Sequence, residues 1–186
     1  MAMTQNSTAA YDIYDTNNGE KEQYFTFSLN NEEYGVDILT VVEVKVWEDV
    51  TQMPDTADYV KGVLNLRGTV VPIIDMRLYY GMESIEYTAA TVILVLKITV
   101  DDKEKMIGLV VDSVSDVMNI SHKHFHESNE FSMASNSESI TGIATLDDKN
   151  IIMLDVSKIL TETQLSELGV QAPKTVGEEE SAETTE

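Results

Sequence analysis

Three imidazoles stand at alternate positions in His122-Lys123-His124-Phe125-His126, the run in this 186-residue chain whose types and spacing best match a metal-ligand set. In an extended strand alternate residues share a face, so His122, His124 and His126 would converge on zinc or nickel. No carboxylate lies at ligand spacing, and the plainer reading is a solvated loop with scattered histidines. The carboxylate pairs Asp101-Asp102 and Asp147-Asp148 are adjacent, cannot both aim at one substrate from a strand, and read as turn formers. There is no GxSxG, glycine-rich phosphate loop or HExxH. The absence of cysteine excludes disulfides, thiol catalysis and cysteine-ligated zinc. Enzymes announce themselves by converging polar groups, and this sequence offers few.

Glu43 and Arg67 are of another kind, because each interrupts an apolar pattern with no partner beside it in sequence. They read either as a charge pair joining two elements or as polar specificity contacts on an apolar, partner-binding groove. Trp47 reads equally as an interface anchor or as a core residue.

Arg67 is held by the stretch Tyr59–Asp75, where two apolar runs, Val63–Leu66 and Val70–Ile74, flank Arg67-Gly68-Thr69. That is a tight hairpin with a glycine suited to positive φ, and Pro72 predicts either an edge position or an amide aimed away from its neighbour. Upstream, residues 1–22 read as a flexible arm. Tyr24–Leu29, a turn at Asn30-Asn31 and Tyr34–Ile38 then read as two strands. Ile38–Trp47 is ambiguous between strand and helix, and Thr56–Lys61 predicts a helical turn. Met76–Tyr87 predicts a short helix closed by Gly81. Thr91–Val100 and Met106–Val111 follow as strands, 119–139 as a long polar loop, 142–155 as a second hairpin and 156–168 as helix. The acidic tail, GEEESAETTE, reads as a solvated, disordered run.

The chain also matches itself. GVLNLRGTVVPIID (62–75) aligns with GIATLDDKNIIMLD (142–155), and YGVDILTVVEV (34–44) with IGLVVDSVSDV (107–117). Two copies in the same order, each of four or five short strands and little helix, predict an all-β chain with a few short helices, in which each copy is too small for a sandwich but suited to a small barrel. The expected division is a first barrel at about 23–82 and a second at about 90–155 within one domain at 23–160, with some strand exchange, and a helix and tail over 161–186. By analogy with Val111, Val114, Val117 and Met118, the turns after Ile38 are expected to be helical.

With 33 acidic against 12 basic residues, the net charge is −21, which repels phosphate backbones and anionic lipid. Nucleic acid and direct membrane insertion are not expected. The first residues lack a basic region followed by an apolar core, so a soluble cytoplasmic protein is the default expectation.

EEYGVDILTVVEV (32–44), DYVKGVLNLRGTVVPIIDMR (58–77), IGLVVDSVSDV (107–117) and the closing hairpin together resemble the CheW-type coupling proteins of bacterial chemotaxis. The most specific element is NLRG at 65–68, and the likeness spans about residues 23–160. The resemblance implies a non-catalytic adaptor, with no cofactor expected, built of two small five-stranded β-barrels related by a pseudo-twofold internal repeat, that bridges methyl-accepting chemoreceptor cytoplasmic tips to the regulatory domain of the chemotaxis histidine kinase, in arrays at the membrane. It further implies a receptor-binding groove of Val41, Glu43, Gly62, Arg67, Gly68 and Val114, and a kinase-binding surface of Ile38, Val41 and Val44. Lys45 and Gln52 stand where family members often carry arginine, and a lysine lacks the planar fork. The alternative is a metal- or small-molecule-binding barrel using residues 122–126.

Overall fold

The computed structural model describes residues 21–127, 137–146 and 148–169. The expected arm up to Glu20, the middle of the polar loop, Asp147 and the acidic tail lie outside the described residues. The strands are β1 (Lys21–Leu29), β2 (Glu32–Asp37), β3 (Val41–Val46), β4 (Val60–Leu66), β5 (Thr69–Asp75), β6 (Val92–Val100), β7 (Lys103–Val111), β8 (Ser113–Ser121), β9 (Phe125–Glu127), β10 (Ile140–Leu146) and β11 (Lys149–Leu154). Two short α-helices, α1 (Met76–Tyr79) and α2 (Glu162–Glu167), and several 3-10 turns complete the described chain. It is mostly β-sheet with few short helices, as its alternating, β-branched runs require.

One sheet has six strands in the order β8-β1-β2-β11-β10-β9, the other five in the order β3-β6-β7-β5-β4. The N-terminal hairpin β1–β2 therefore joins the C-terminal strands, while β6 and β7 join β3, β4 and β5. Strands thus exchange across the 82–90 division. The internal repeat is realised strand for strand: β2–β3 corresponds to β7–β8, and β4–β5 to β10–β11. Each sheet contains one parallel joint, β5 with β7 and β2 with β11, and a repeated glycine sits at each, Gly108 opposite Ile73 and Gly35 opposite Met153. A Cβ on Gly108 would lie 2.5 Å from Ile73 Cδ1, and one on Gly35 would lie 3.2 Å from Ile151 Cγ2. Side chains from the neighbouring strand fill both spaces, which is why the duplication keeps glycine there.

Two local expectations are corrected, and the two alternatives at Pro72 are decided. Ile38–Thr40 forms a single 3-10 turn capped by Asp37, and the chain then runs as strand through Val46, not as helix. Its copy behaves alike, since Ser113–Ser121 is strand although Val114, Val117 and Met118 fit a helical spacing. Both segments hydrogen-bond along a neighbour, β3 on β6 and β8 on β1, and tertiary pairing overrides the local period. Thr56–Lys61 is a turn leading into β4, with the Val60 amide donating to the Ala57 carbonyl at 2.8 Å. Pro72 is not on an edge, because β5 lies between β7 and β4. Its missing N–H is tolerated because Val63, its cross-strand partner, turns its own N–H and C=O to Thr51, and pairing with β7 begins only at Ile73.

The principal core is shared by both sheets, with Phe27, Val36, Leu94, Leu96, Leu109 and Leu154 buried together. Leu160, Leu165 and Leu168 pack into the same core, so α2 is an integral part of it. A reciprocal capping box between Thr161 and Gln164 starts α2, and the Lys105 ammonium, buried on β7, pairs with Glu162 at 2.7 Å. Arg77 on α1 grips Asp112 with two hydrogen bonds of 2.6 Å, and Asp112 also accepts the Asn30 amide at 2.8 Å. That one carboxylate ties α1 and the β1–β2 turn to the β7–β8 connection. Burial alone would raise the Asp112 pKa, but the Arg77 hydrogen bonds, the Asn30 N–H and the Arg77 charge together hold it below the ordinary carboxylate value.

Candidate functional site

The tip of the β4–β5 hairpin is a two-residue turn in which Arg67 (φ 50°) and Gly68 (φ 87°) both adopt the left-handed region. Such turns match the twist of the strands they join, and glycine takes the second position freely. For Arg67 the conformation costs about 1–2 kcal/mol. Asn65 holds it in place, its side-chain oxygen accepting the Gly68 amide at 2.8 Å. Arg67 Nη2 reaches Glu43 Oε2 on β3 at 3.1 Å, while the Arg67 side chain remains 79% exposed and Glu43 27% exposed. The guanidinium is not buried among carbonyls. It spends one edge on Glu43 and leaves the rest to solvent, so the structural and functional readings of this pair coexist.

Gly62 lies within the same hairpin at φ 139°, and a Cβ there would come 2.2 Å from the Thr51 carbonyl oxygen. Its copy Gly142 meets the His126 carbonyl oxygen at 2.3 Å in the same way. Both lie beside a bulge, between Val60 and Gly62 and between Ile140 and Gly142. Gly62 is therefore buried backbone that sets the path of β4, and it presents no side chain to a partner.

On β3 a bulge between Val41 and Glu43 inserts Val42 against β6. Cross-strand partners share a face, so Val41, opposite Leu96, and Val44, opposite Leu94, lie on one side, whereas Glu43, opposite Val95, lies on the other.

 Val44 stands directly opposite Leu94, whose side chain belongs to the principal core. Strict alternation would have put Val41 and Glu43 on one face, and the bulge separates them. Val42, Val44 and Val46 are exposed along this strand, and Leu39, in the preceding turn, is 81% exposed. Ile38 and Val41 are half-buried, with Val41 packed against the principal core.

The second sheet repeats the arrangement. On β8, Val114 stands opposite Phe27 and Val117 opposite Phe25, with a register shift between them, and both valines are exposed. Thr26 fills that shift, donating its hydroxyl to the Asp116 carbonyl at 3.0 Å and accepting the Asp116 amide at 3.1 Å. Each sheet therefore ends in a strand, β3 or β8, that carries exposed valines, and the repeat aligns the half-buried Val41 with the exposed Val114 and the exposed Val44 with the exposed Val117. Val114 thus lies on a different sheet from Glu43, Arg67 and Gly68. The sequence reading missed Val117, although the repeat aligns it with Val44, because its helical spacing with Val114 suggested a helix.

The histidine expectation loses its geometric basis. His122 and His124 sit in a 3-10 turn (His122–His124) and only His126 lies on β9, so the alternation of an extended strand does not bring them to one face. Among the described residues, no group of three or more His, Cys, Asp or Glu side chains is arranged to hold a metal ion. Trp47 packs on Tyr87, with ring centroids 4.2 Å apart, in a smaller core cluster with Val71 and Ile93. Asp101 (φ 49°) and Asp102 (φ 59°) form the turn between β6 and β7. Asp148 (φ 63°) lies in the β10–β11 turn.

Residues 23–164 match the model of the CheW-like domain family. The chain is 36% identical to the chemotaxis protein CheW of Klebsiella aerogenes over 145 residues, which are 78% of this chain and 85% of that protein. It is 32% identical to a probable chemotaxis protein CheW of Rhizobium etli over 83% of this chain and 97% of that one. The crystal structure of the scaffolding protein TtCheW from Thermoanaerobacter tengcongensis superposes with a TM-score of 0.67 at 28% identity, covering 75% of this chain and 92% of that one. With the duplicated strands, the two sheets and the NLRG hairpin tip already in place, these matches show that the chain belongs to the CheW-like domain family.

Proposed function

We propose that this protein is a chemotaxis signal-transduction adaptor, a non-catalytic scaffold that couples the cytoplasmic tips of methyl-accepting chemoreceptors to the regulatory domain of the chemotaxis histidine kinase. It works in the cytoplasm, in receptor arrays at the membrane, without a cofactor. The observation that carries this reading is the family match across nearly all of the described chain. Two features of the surface support it. Exposed valines on β3 and β8 suit the apolar face of a partner helix or sheet, and the exposed guanidinium at the hairpin tip supplies a directional polar contact.

In this reading the receptor helix lies along Val41, Glu43, Arg67, Gly68 and Val114, with Gly62 shaping the backbone beneath it. The kinase domain covers Ile38, Val41 and Val44. No helix among the described residues is long and apolar enough to cross a membrane, so attachment to an array would come from these contacts. Cosedimentation with a receptor cytoplasmic fragment, together with stimulation of the purified kinase, tests the proposal. Retention of both partners and a rise in kinase activity are expected. A wild-type protein that retains neither partner would sink the reading.

A further inference from the structure

The duplication gives the molecule two related edges, β3 at the end of one sheet and β8 at the end of the other, with residues 39–46 corresponding without a gap to residues 112–119. At three of these positions the copies differ in kind: Leu39 corresponds to Asp112, Val42 to Ser115 and Val46 to Asn119. Each polar residue of the β8 copy is engaged within the fold. Asp112 holds Arg77 and the Asn30 amide, Ser115 donates its hydroxyl to Glu33 at 2.9 Å, and the Asn119 side-chain oxygen accepts from Gln23 Nε2 at 3.2 Å. Their β3 counterparts are hydrocarbon side chains facing solvent, with Leu39 81%, Val42 45% and Val46 63% exposed. The fold does not require apolar residues at these places, since its own copy is built with polar ones. Three of them along an unpaired edge invite aggregation unless a partner covers them.

Leu39 is also held ready. The 3-10 turn Ile38–Thr40 that carries it is closed from both sides: the Asp37 carboxylate accepts the Leu39 amide at 2.8 Å, the Asp37 carbonyl accepts the Thr40 hydroxyl at 2.6 Å, and the Val41 amide donates to the Ile38 carbonyl. The backbone is ordered before any partner arrives, so enclosing the leucine requires ordering only its side chain.

We infer that Leu39, supported by Val42 and Val46, is the specificity-determining residue that directs the regulatory domain of the kinase to the β3 edge and keeps it from the related β8 edge. This rests on the adaptor reading, in which the kinase covers Ile38, Val41 and Val44. Val41 and Val44 have valine counterparts in Val114 and Val117, so they cannot by themselves tell one edge from the other. Leu39 against Asp112 can. A partner with an apolar socket for one leucine side chain gains by enclosing Leu39, whereas the same socket brought to β8 would meet the Arg77–Asp112 ion pair and strip water from it.

The test is the affinity of the full chain for the purified chemotaxis histidine kinase, read by isothermal titration, beside cosedimentation with a receptor cytoplasmic fragment. Leu39→Ala should weaken kinase binding by about tenfold or more while receptor retention stays within about twofold of wild type. Its Tm should match wild type, as suits a side chain so exposed. Leu39→Asp, which makes this position like its copy, should weaken the kinase further. Asp37→Ala, which releases the turn, should weaken the kinase when Leu39 is present and add nothing in the Leu39→Ala background, a coupling that a purely structural role would not produce. Ile85→Ala, at an exposed apolar residue outside the β3 edge, should change neither partner. A wild-type chain that does not bind the kinase would overturn the adaptor reading and this inference with it. Wild-type binding that Leu39→Ala leaves intact, an equal loss of the receptor, or an equal loss in Ile85→Ala would overturn this inference alone.

Discussion

Arg67→Gly should separate what the arginine does for the fold from what it does for a partner. The wild-type turn holds an L-residue at φ 50°, and replacing it with glycine relieves about 1–2 kcal/mol. Glycine returns about 0.4–1 kcal/mol of this through the greater freedom of the unfolded chain. The lost ion pair removes only about 0.2–1 kcal/mol more, because the Arg67 side chain is 79% exposed and touches Glu43 through one 3.1 Å contact. The contributions nearly cancel, and the net change should stay within about 1 kcal/mol, or some 2–4 °C in Tm for a chain of this size. Arg67→Ala lacks the relief at φ and should be slightly less stable than wild type. Thermal unfolding followed by circular dichroism measures both, and cosedimentation with receptor fragments and kinase stimulation measure coupling. The expected result is a near-native Tm with reduced coupling in both variants. Undiminished coupling would show that no partner uses the guanidinium, and a fall of more than about 8 °C in Arg67→Gly would mean that the Glu43 contact supports the fold far more than its exposure allows.

Gly62→Ala and Gly142→Ala should lower stability by comparable amounts, on the order of 3 kcal/mol, because an added Cβ meets a backbone carbonyl oxygen at 2.2 Å in one and 2.3 Å in the other; chemical denaturation reads this, and a loss at only one site would contradict the structural equivalence of the two hairpins. Glu162→Ala should cost roughly 2–3 kcal/mol, less than the 3–5 of a fully buried pair because Glu162 is 34% exposed while Lys105 is only 4% exposed. Lys105→Met added to it should recover most of that loss in the same melts, since the uncompensated buried ammonium is then gone. Asp112 is held below its ordinary value of 3.8, so its contribution is fully present above that pH and is lost as the pH falls through the lower folded value. Wild type and Asp112→Asn should therefore differ most in stability near neutral pH and converge in acid; a gap that stays constant down to pH 2 would exclude this carboxylate as the source.

The sheet content and the duplication were legible because strands advertise themselves through β-branched alternation and because the repeat preserves Gly35 with Gly108 and Gly62 with Gly142, where backbone or packed side chains leave no room for a Cβ. The family was legible from the NLRG tip and the flanking motifs. Partner choice among strands was harder to read. Nothing local to Lys21–Asp37 shows that it pairs with β8 and β11, more than 75 residues away, and that exchange is fixed only by the pairing itself. The β3 bulge was hidden for a related reason: an extra residue leaves no mark on composition, yet it moves Val41 to the face opposite Glu43. Pro72 left two readings open, an edge or an amide with no ladder partner, and only the hydrogen bonds of Val63 to Thr51 decide for the second. The role of α2 was obscured by its polar composition, since only Leu165 and Leu168 carry it into the core.

The interleaving of the two sheets has a consequence for the order in which this chain can be built. All five strands of the β3–β7 sheet have been synthesised once Val111 is in place. The six-stranded sheet is different, because β2 is joined to β11, which ends at Leu154. The first hairpin made must wait for the last strand made, with Phe27 and Val36 lacking their final cover until translation of the domain is almost finished.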